Sequence, residues 1–229
     1  MTKILEGPTF STHKKPKKLI IMLHGYGDNA ENFINLAQPF DKEEWGAYYL
    51  AINAPTSIPN YPSGYQWFEL YPNGTYISKA GPNEINIIRK EVKNSVLQIE
   101  STIKHYLKKL NLKLNDCIVI GFSQGGMMTF EFGNYMQDKL GALAILSGRI
   151  MDNNNITNKY LLNTPIFISH GDNDDVLPII NFERSIKYLK NNQCNFESHI
   201  IKGDTHTISK ITINLLQNFI KKSYDVSES

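Results

Sequence analysis

Cys117-Ile-Val-Ile-Gly-Phe-Ser-Gln-Gly-Gly-Met-Met128 decides the fold. Four apolar residues read as a buried strand. Gly121-Phe122-Ser123-Gln124-Gly125 then fits G-x-S-x-G, and the run from Gly126 to Met136 reads as a helix. A serine on so tight a strand-to-helix turn is a nucleophile elbow. Its flanking positions must be small, because side chains there would clash with the turn, and Gly121 and Gly125 meet that demand. Ser123 falls at a helix N-terminus, where backbone N–H groups and the helix dipole favour developing negative charge.

Outward from that turn, the chain repeats the same alternation. Leu19–Leu23, Tyr48–Ile52, Ala142–Leu146, Ile166–Ser169 and Phe196–Ile201 are further short aliphatic runs. Most are continuously apolar, as strands covered on both faces of a parallel sheet must be. Between them lie helical patterns. Val92, Val96, Ile99, Ile103, Tyr106 and Leu110 mark one face of a long helix, and Ile208, Ile211, Leu215 and Phe219 another. Pro178 to Leu189 reads as a third, with the proline near its first turn. The expected fold is α/β, of the α/β-hydrolase type: a mostly parallel central sheet flanked by helices, with no large cap domain.

Residues 1–229 are expected to form a single domain. The exception to the alternation is Ala54 to Pro82, which carries Tyr61, Tyr65, Trp67, Phe68, Tyr71 and Tyr76 among prolines and glycines. It is either a functional loop near the active site or an insertion packed over the sheet edge by its own aromatics. Asp152 to Asn155 reads as a surface loop, and Ser223 to Ser229 as a frayed tail.

Composition excludes several classes. The net charge of +2 over 229 residues gives no footprint for nucleic acid. The lysine pairs Lys14-Lys15 and Lys17-Lys18 read as a solvated face. No apolar run approaches the length of a membrane span, and Met1 to Phe10 lacks the pattern of a signal peptide. Cys117 and Cys194 form neither a disulfide framework nor a metal cluster. A cytoplasmic protein without a metal or organic cofactor is expected, free of stable membrane insertion.

A serine hydroxyl needs a base, and the base needs an orienting acid. In this fold the chain order is serine, acid, histidine. Of the histidines after Ser123, His199 lies within a strand and His170 ends one. His206 lies in the turn Lys202-Gly-Asp-Thr-His206, after the last strand and before the last helix, where the base belongs. The acid lies in His170-Gly-Asp-Asn-Asp-Asp175, where Asp172, Asp174 and Asp175 compete and spacing does not choose. The oxyanion donors are expected to be the amides of Gln124 and of Tyr26, the latter in His24-Gly-Tyr-Gly-Asp28.

With these segments placed, the chain resembles the acyl-protein thioesterase and phospholipase/carboxylesterase family of α/β hydrolases. Leu23–Asp28, Trp67–Leu70, Gly121–Gly126, Leu146–Gly148, His170–Asp174 and the turn at His206 carry the resemblance, in order along nearly the whole chain. In the family's H-G-x-x-D element the last Asp is the triad acid, which implies Asp174. The family usually has proline next, whereas this chain has Asp175. Its Trp-aromatic-Asp element reads Trp67-Phe68-Glu69 here. The resemblance implies hydrolysis of carboxylic esters, thioesters or lysophospholipids, on a small-molecule, lipid or acylated-protein substrate. Trp67 and Phe68 are expected to line part of the acyl site. Two rivals share the fold: a non-catalytic binding protein, and a hydrolase of another class such as a dienelactone hydrolase or a peptidase.

Overall fold

The computed structural model describes residues 2–151, 156 and 158–225, with the side chains of 224 and 225 left aside. The strands among the described residues are β1 (Thr9–Phe10), β2 (Lys18–Leu23), β3 (Ala47–Ile52), β4 (Thr56–Ile58), β5 (Tyr61–Gln66), β6 (Cys117–Phe122), β7 (Ala142–Leu146), β8 (Ile166–Gly171) and β9 (Phe196–Ile201). Seven make the main sheet in the order β1-β3-β2-β6-β7-β8-β9. Its pairs are parallel except β1 with β3. The six aliphatic runs are its six parallel strands.

The helices are α1 (Ala30–Phe33), α2 (Ala37–Phe40), α3 (Pro82–Leu110), α4 (Gln124–Tyr135), α5 (Lys159–Asn163), α6 (Ile180–Asn191) and α7 (Lys210–Asp225). The sheet faces two cores. Leu19, Ile21 and Leu23 of β2 point to the core shared with α3, α4 and α6, where Val96, Ile99, Phe130 and Phe182 meet them. Ile20 and Met22 point the other way, to Phe33, Phe40, Leu216 and Phe219 of α1, α2 and α7. Both faces of each central strand are therefore buried, which explains the unbroken apolar runs.

Three expectations shift in detail. α6 starts at Ile180, so Pro178 lies outside it, before the Ile179 N-cap. Ile211 of α7 is 55% exposed, and Leu216, Phe219 and Ile220 make the buried stripe instead. The continuous helix α7 turns that set toward the sheet, while the periodic match through Ile211 counts a solvent-facing residue. The segment 54–82 contains a real element: β4 and β5 pair as an antiparallel hairpin apart from the main sheet. The loop expected at 152–155 lies outside the described residues, as do residues 226–229 of the expected tail.

Candidate active site

The site gathers at the C-terminal ends of the parallel strands, where open α/β sheets bind ligands. Ser123 sits between β6 and α4 with φ 53° and ψ −115°, in the strained conformation that the tight turn imposes. Its N–H donates to the Leu146 carbonyl (2.9 Å), and its carbonyl accepts from Met127 N–H (3.1 Å). Glycine is required on both flanks. A Cβ on Gly121 would overlap the Gly125 backbone, and one on Gly125 would overlap the carbonyls of Leu23 and His24.

His206 comes from the turn after β9. Its Nε2 is 2.9 Å from Ser123 Oγ, and its Nδ1 is 2.7 Å from Asp174 Oδ2. The Phe122 ring packs against the imidazole, with centroids 4.8 Å apart. Of the three competing carboxylates, the structure brings Asp174 to the histidine. Asp174 is 6% exposed, and its Oδ1 accepts from the amides of Val176 (3.0 Å) and Leu177 (2.7 Å). Asp172 accepts from Gly203 N–H (2.6 Å), which ties the acid loop to the histidine turn. Asp175 is exposed.

His170 was not assigned a part in the sequence reading. It is buried, with Nε2 2.6 Å from the Leu177 carbonyl and 3.2 Å from Asp174 Oδ2. Burial lowers its pKa, against the opposing pull of the Leu177 carbonyl and Asp174. The signal available was the His-Gly pair at the end of a strand, but only the tertiary contact shows that its ring reaches the acid. His199 stays in β9, on Glu197 Oε1 (2.8 Å) and against Phe167.

Tyr26 and Gln124 line the same cleft as Ser123 and His206. Neither backbone amide donates to any backbone or side-chain acceptor among the described residues. Gly25 permits this approach: a Cβ there would stand 3.2 Å from the Phe122 ring and 3.4 Å from Ser123 Cβ. The loop is held from behind. Trp67 Nε1–H donates to the His24 carbonyl (2.9 Å). His24 Nε2 accepts from Ala54 N–H (3.1 Å), while Nδ1 lies 2.7 Å from the Gly25 carbonyl. Burial lowers the His24 pKa. Hairpin strand β5 adds two bonds, Gly27 N–H to the Tyr65 carbonyl (2.9 Å) and Tyr65 N–H to the Asp28 carbonyl (3.0 Å). The Gln124 side chain is buried. It accepts from Trp67 N–H (2.9 Å) and donates to the Phe68 carbonyl (2.7 Å).

Trp67 and Phe68, expected at the acyl site, do not line the cleft at Ser123. Each is 1% exposed and packs in the core with α3. The cleft at Ser123, about 300 Å³, is walled instead by Leu70, Tyr71, Tyr76, Ile77, Met127 and Val176. The physical reason lies in the two anchors on Trp67, its backbone N–H and its indole N–H, which turn the ring inward.

A sequence profile of the phospholipase/carboxylesterase family matches residues 8–224. The chain belongs to the phospholipase/carboxylesterase family. Acyl-protein thioesterase 1 of Saccharomyces cerevisiae is 29% identical over 220 residues, covering 90% of this chain and 93% of its own. A probable carboxylesterase of Oryza sativa is 25% identical over 235 residues, covering 99% and 85%. Among solved structures, esterase PE8 superposes with a TM-score of 0.80 at 26% identity, covering 96% of this chain and 99% of that one. Arabidopsis thaliana SOBER1 superposes at 0.77 and 22% identity, covering 91% and 99%, a likeness of fold. As a member of this family, the protein is a hydrolase of carboxylic esters or thioesters. Among the described residues, no helix is long and apolar enough to cross a membrane, and no cluster of three His, Cys, Asp or Glu is placed to hold a metal.

Proposed function

We propose that the protein hydrolyses carboxylic esters or thioesters through an acyl-enzyme on Ser123. The observation that carries this reading is the chain of short contacts from Ser123 Oγ through His206 to Asp174. Ser123 Oγ attacks the acyl carbonyl while His206 Nε2 takes its proton. Asp174 fixes the imidazole tautomer and stabilises the imidazolium. The Tyr26 and Gln124 amides receive the oxyanion. Each such donor is worth about 2.7–4 kcal/mol of transition-state stabilisation. His206 then gives its proton to the departing alcohol or thiol. Water, deprotonated by the same histidine, cleaves the acyl-enzyme and releases the acid. These steps use no metal or organic cofactor.

The names of the relatives support an acyl group carried on a lipid, a protein or a small alcohol. One sheet shared by both cores supports a single hydrolase domain. Cytoplasmic placement is part of the proposal, supported by the free thiols of Cys117 and Cys194. Burial pushes the Cys117 thiol far up and that of Cys194 up to about 11, so both stay protonated.

A fluorophosphonate probe tests the nucleophile. It should label Ser123 in the wild type and leave Ser123→Ala unlabelled. A panel of short esters, long acyl thioesters and lysophospholipids then ranks the leaving groups. Absence of labelling in folded wild-type protein would sink the mechanism.

A further inference from the structure

The loop after β7 presses on the nucleophile turn and sends an arginine into the cleft. Ser147 N–H donates to the Ser169 carbonyl (2.9 Å), with Ser147 at φ 46°. Gly148 lies flat on the turn, where a Cβ would stand 3.1 Å from the Ser123 carbonyl oxygen. On the far side, Ile150 N–H donates to Ser185 Oγ (3.0 Å). Arg149, pinned between these anchors, lines the cleft together with Ser123 and His206. It also lines an adjoining groove of about 640 Å³, whose walls combine an apolar side (Ile85, Ile88, Val92 and Met151) with the charged residues Arg89, Lys93 and Glu131. Ile77 and Arg149 belong to both spaces and form their junction.

Among the described residues the guanidinium has no counter-ion. Arg149 takes part in none of the ion pairs among the described residues, and its fully enclosed Nε–H finds no acceptor there. Burial lowers its pKa, Arg184 on α6 lowers it further, and the Tyr76 phenol opposes this. The carboxylate of the cleft, Asp28, is engaged by Asn32 Nδ2 at 2.9 Å. A largely desolvated, unpaired cation is costly to keep. Its planar donor fork matches the oxygens of a carboxylate or a phosphate.

We propose that Arg149 binds an anionic group of the substrate, a carboxylate or a phosphate, so that the enzyme prefers negatively charged acyl esters or thioesters. The inference rests on the cleft at Ser123 being the reaction site. The apolar side of the adjoining groove takes the apolar portion of such a substrate, with the junction holding its charge.

Two matched pairs locate the charge. para-Nitrophenyl monoadipate against para-nitrophenyl hexanoate places a carboxylate on the acyl side. Butyrylglycerol phosphate against monobutyrin places a phosphate on the alcohol side. In wild-type protein the anionic member of one pair should have the higher kcat/KM. Arg149→Met should cut that anionic-to-neutral ratio about tenfold or more, mainly through KM, the scale of a lost charged hydrogen bond. Arg149→Lys should keep part of the preference and make it more sensitive to salt. Calorimetric binding of hexyl phosphate, heptanoate and hexanol to Ser123→Ala protein reads the same site without turnover. The anions should bind more tightly than hexanol, and Arg149→Met in that background should erase the difference. The Tm of Arg149→Met should hold or rise, whereas a structural arginine would lower it. Equal treatment of anion and neutral partner in both assays, or a preference untouched by Arg149→Met, overturns the proposal. Should Arg149→Met fail to fold, a wild-type and Arg149→Lys preference indifferent to salt overturns it as well. Probe labelling of Ser123 keeps the two readings apart: labelling without anion preference removes only Arg149's role, and Arg149-dependent binding without labelling removes only the nucleophile's.

Discussion

The nucleophile turn and the aromatic segment 54–82 hold the same few ångströms of space by opposite means. At residues 121–126 the backbone does the work locally. Glycines on either side let a strained serine sit against neighbouring carbonyls, and α4 starts at once behind it. In the aromatic segment, side chains act over long stretches of sequence. Trp67 reaches back to His24, Gln124 reaches across to Trp67 and Phe68, and Tyr65 ties the hairpin to Gly27 and Asp28. One region displays the Ser123 hydroxyl. The other keeps the loop bearing the Tyr26 amide from drifting. The contrast teaches that one aromatic-rich segment can divide its labour, with Tyr71 and Tyr76 walling the cleft while Tyr65 and Trp67 brace the loop behind it.

The largest test strikes the displayed chemistry. Asp174→Asn should lower kcat about 10⁴-fold, because the amide favours the wrong histidine tautomer while leaving the fold intact. Steady-state kinetics with circular dichroism checks this, and a tenfold effect or less would separate Asp174 from the reaction. Gly125→Ala comes next and should destabilise by about 3 kcal/mol or more, since a methyl group must displace backbone at Leu23 and His24. A urea midpoint near wild type would mean that the turn is less confined than described. Trp67→Phe is subtler. It keeps most of the ring but leaves the His24 carbonyl without its indole donor, for a loss of about 1–3 kcal/mol. We expect kcat to fall with acyl-length preference unchanged. A changed chain-length profile would return Trp67 to the wall of the acyl site.

The smallest effect is pH dependence. His24, bonded by the aromatic segment, and His170, beside Asp174, have pKa values lowered by burial from 6.5. The unfolded chain therefore takes up protons near pH 6.5 that the folded one refuses. Stability is retained above that pH and lost as pH falls through it. Urea midpoints at pH 7.5 and 5.5 should show the decline, and His170→Asn should flatten it. A midpoint that rises on acidification would contradict the assigned burial.

The same contrast explains what could be read without coordinates. The inner parallel strands were legible because burial on two faces leaves runs such as Leu19–Leu23 without a polar residue, whereas the edge strand β9, with Glu197 and His199, was read from its apolar ends and its place in the alternation. The meeting of Ser123 with His206 was legible because the proposed chemistry needs set places in chain order. Spacing could not choose among Asp172, Asp174 and Asp175, and only the family's H-G-x-x-D element pointed to Asp174, the carboxylate that collects the Val176 and Leu177 amides. Trp67 and Phe68 misled for a related reason. An aromatic pair beside a site looks alike in sequence whether it faces the cleft or the core, and the deciding bonds run to Gln124 and His24, far away in the chain. Arg149 carried no pattern at all. Its proposed significance comes from the partners it lacks among the described residues.

The hairpin of β4 and β5 has a practical consequence. Its two bonds to the loop at Gly27 and Asp28 come from Tyr65, near the base of the hairpin, while Asn60 turns at the tip with φ 61°. The tip and the anchor are thus separate parts. Extra residues inserted at Pro59–Asn60 leave the anchor in place, so an engineer wishing to roof this cleft, or to graft a recognition peptide at its mouth, has an attachment point that spares the machinery below.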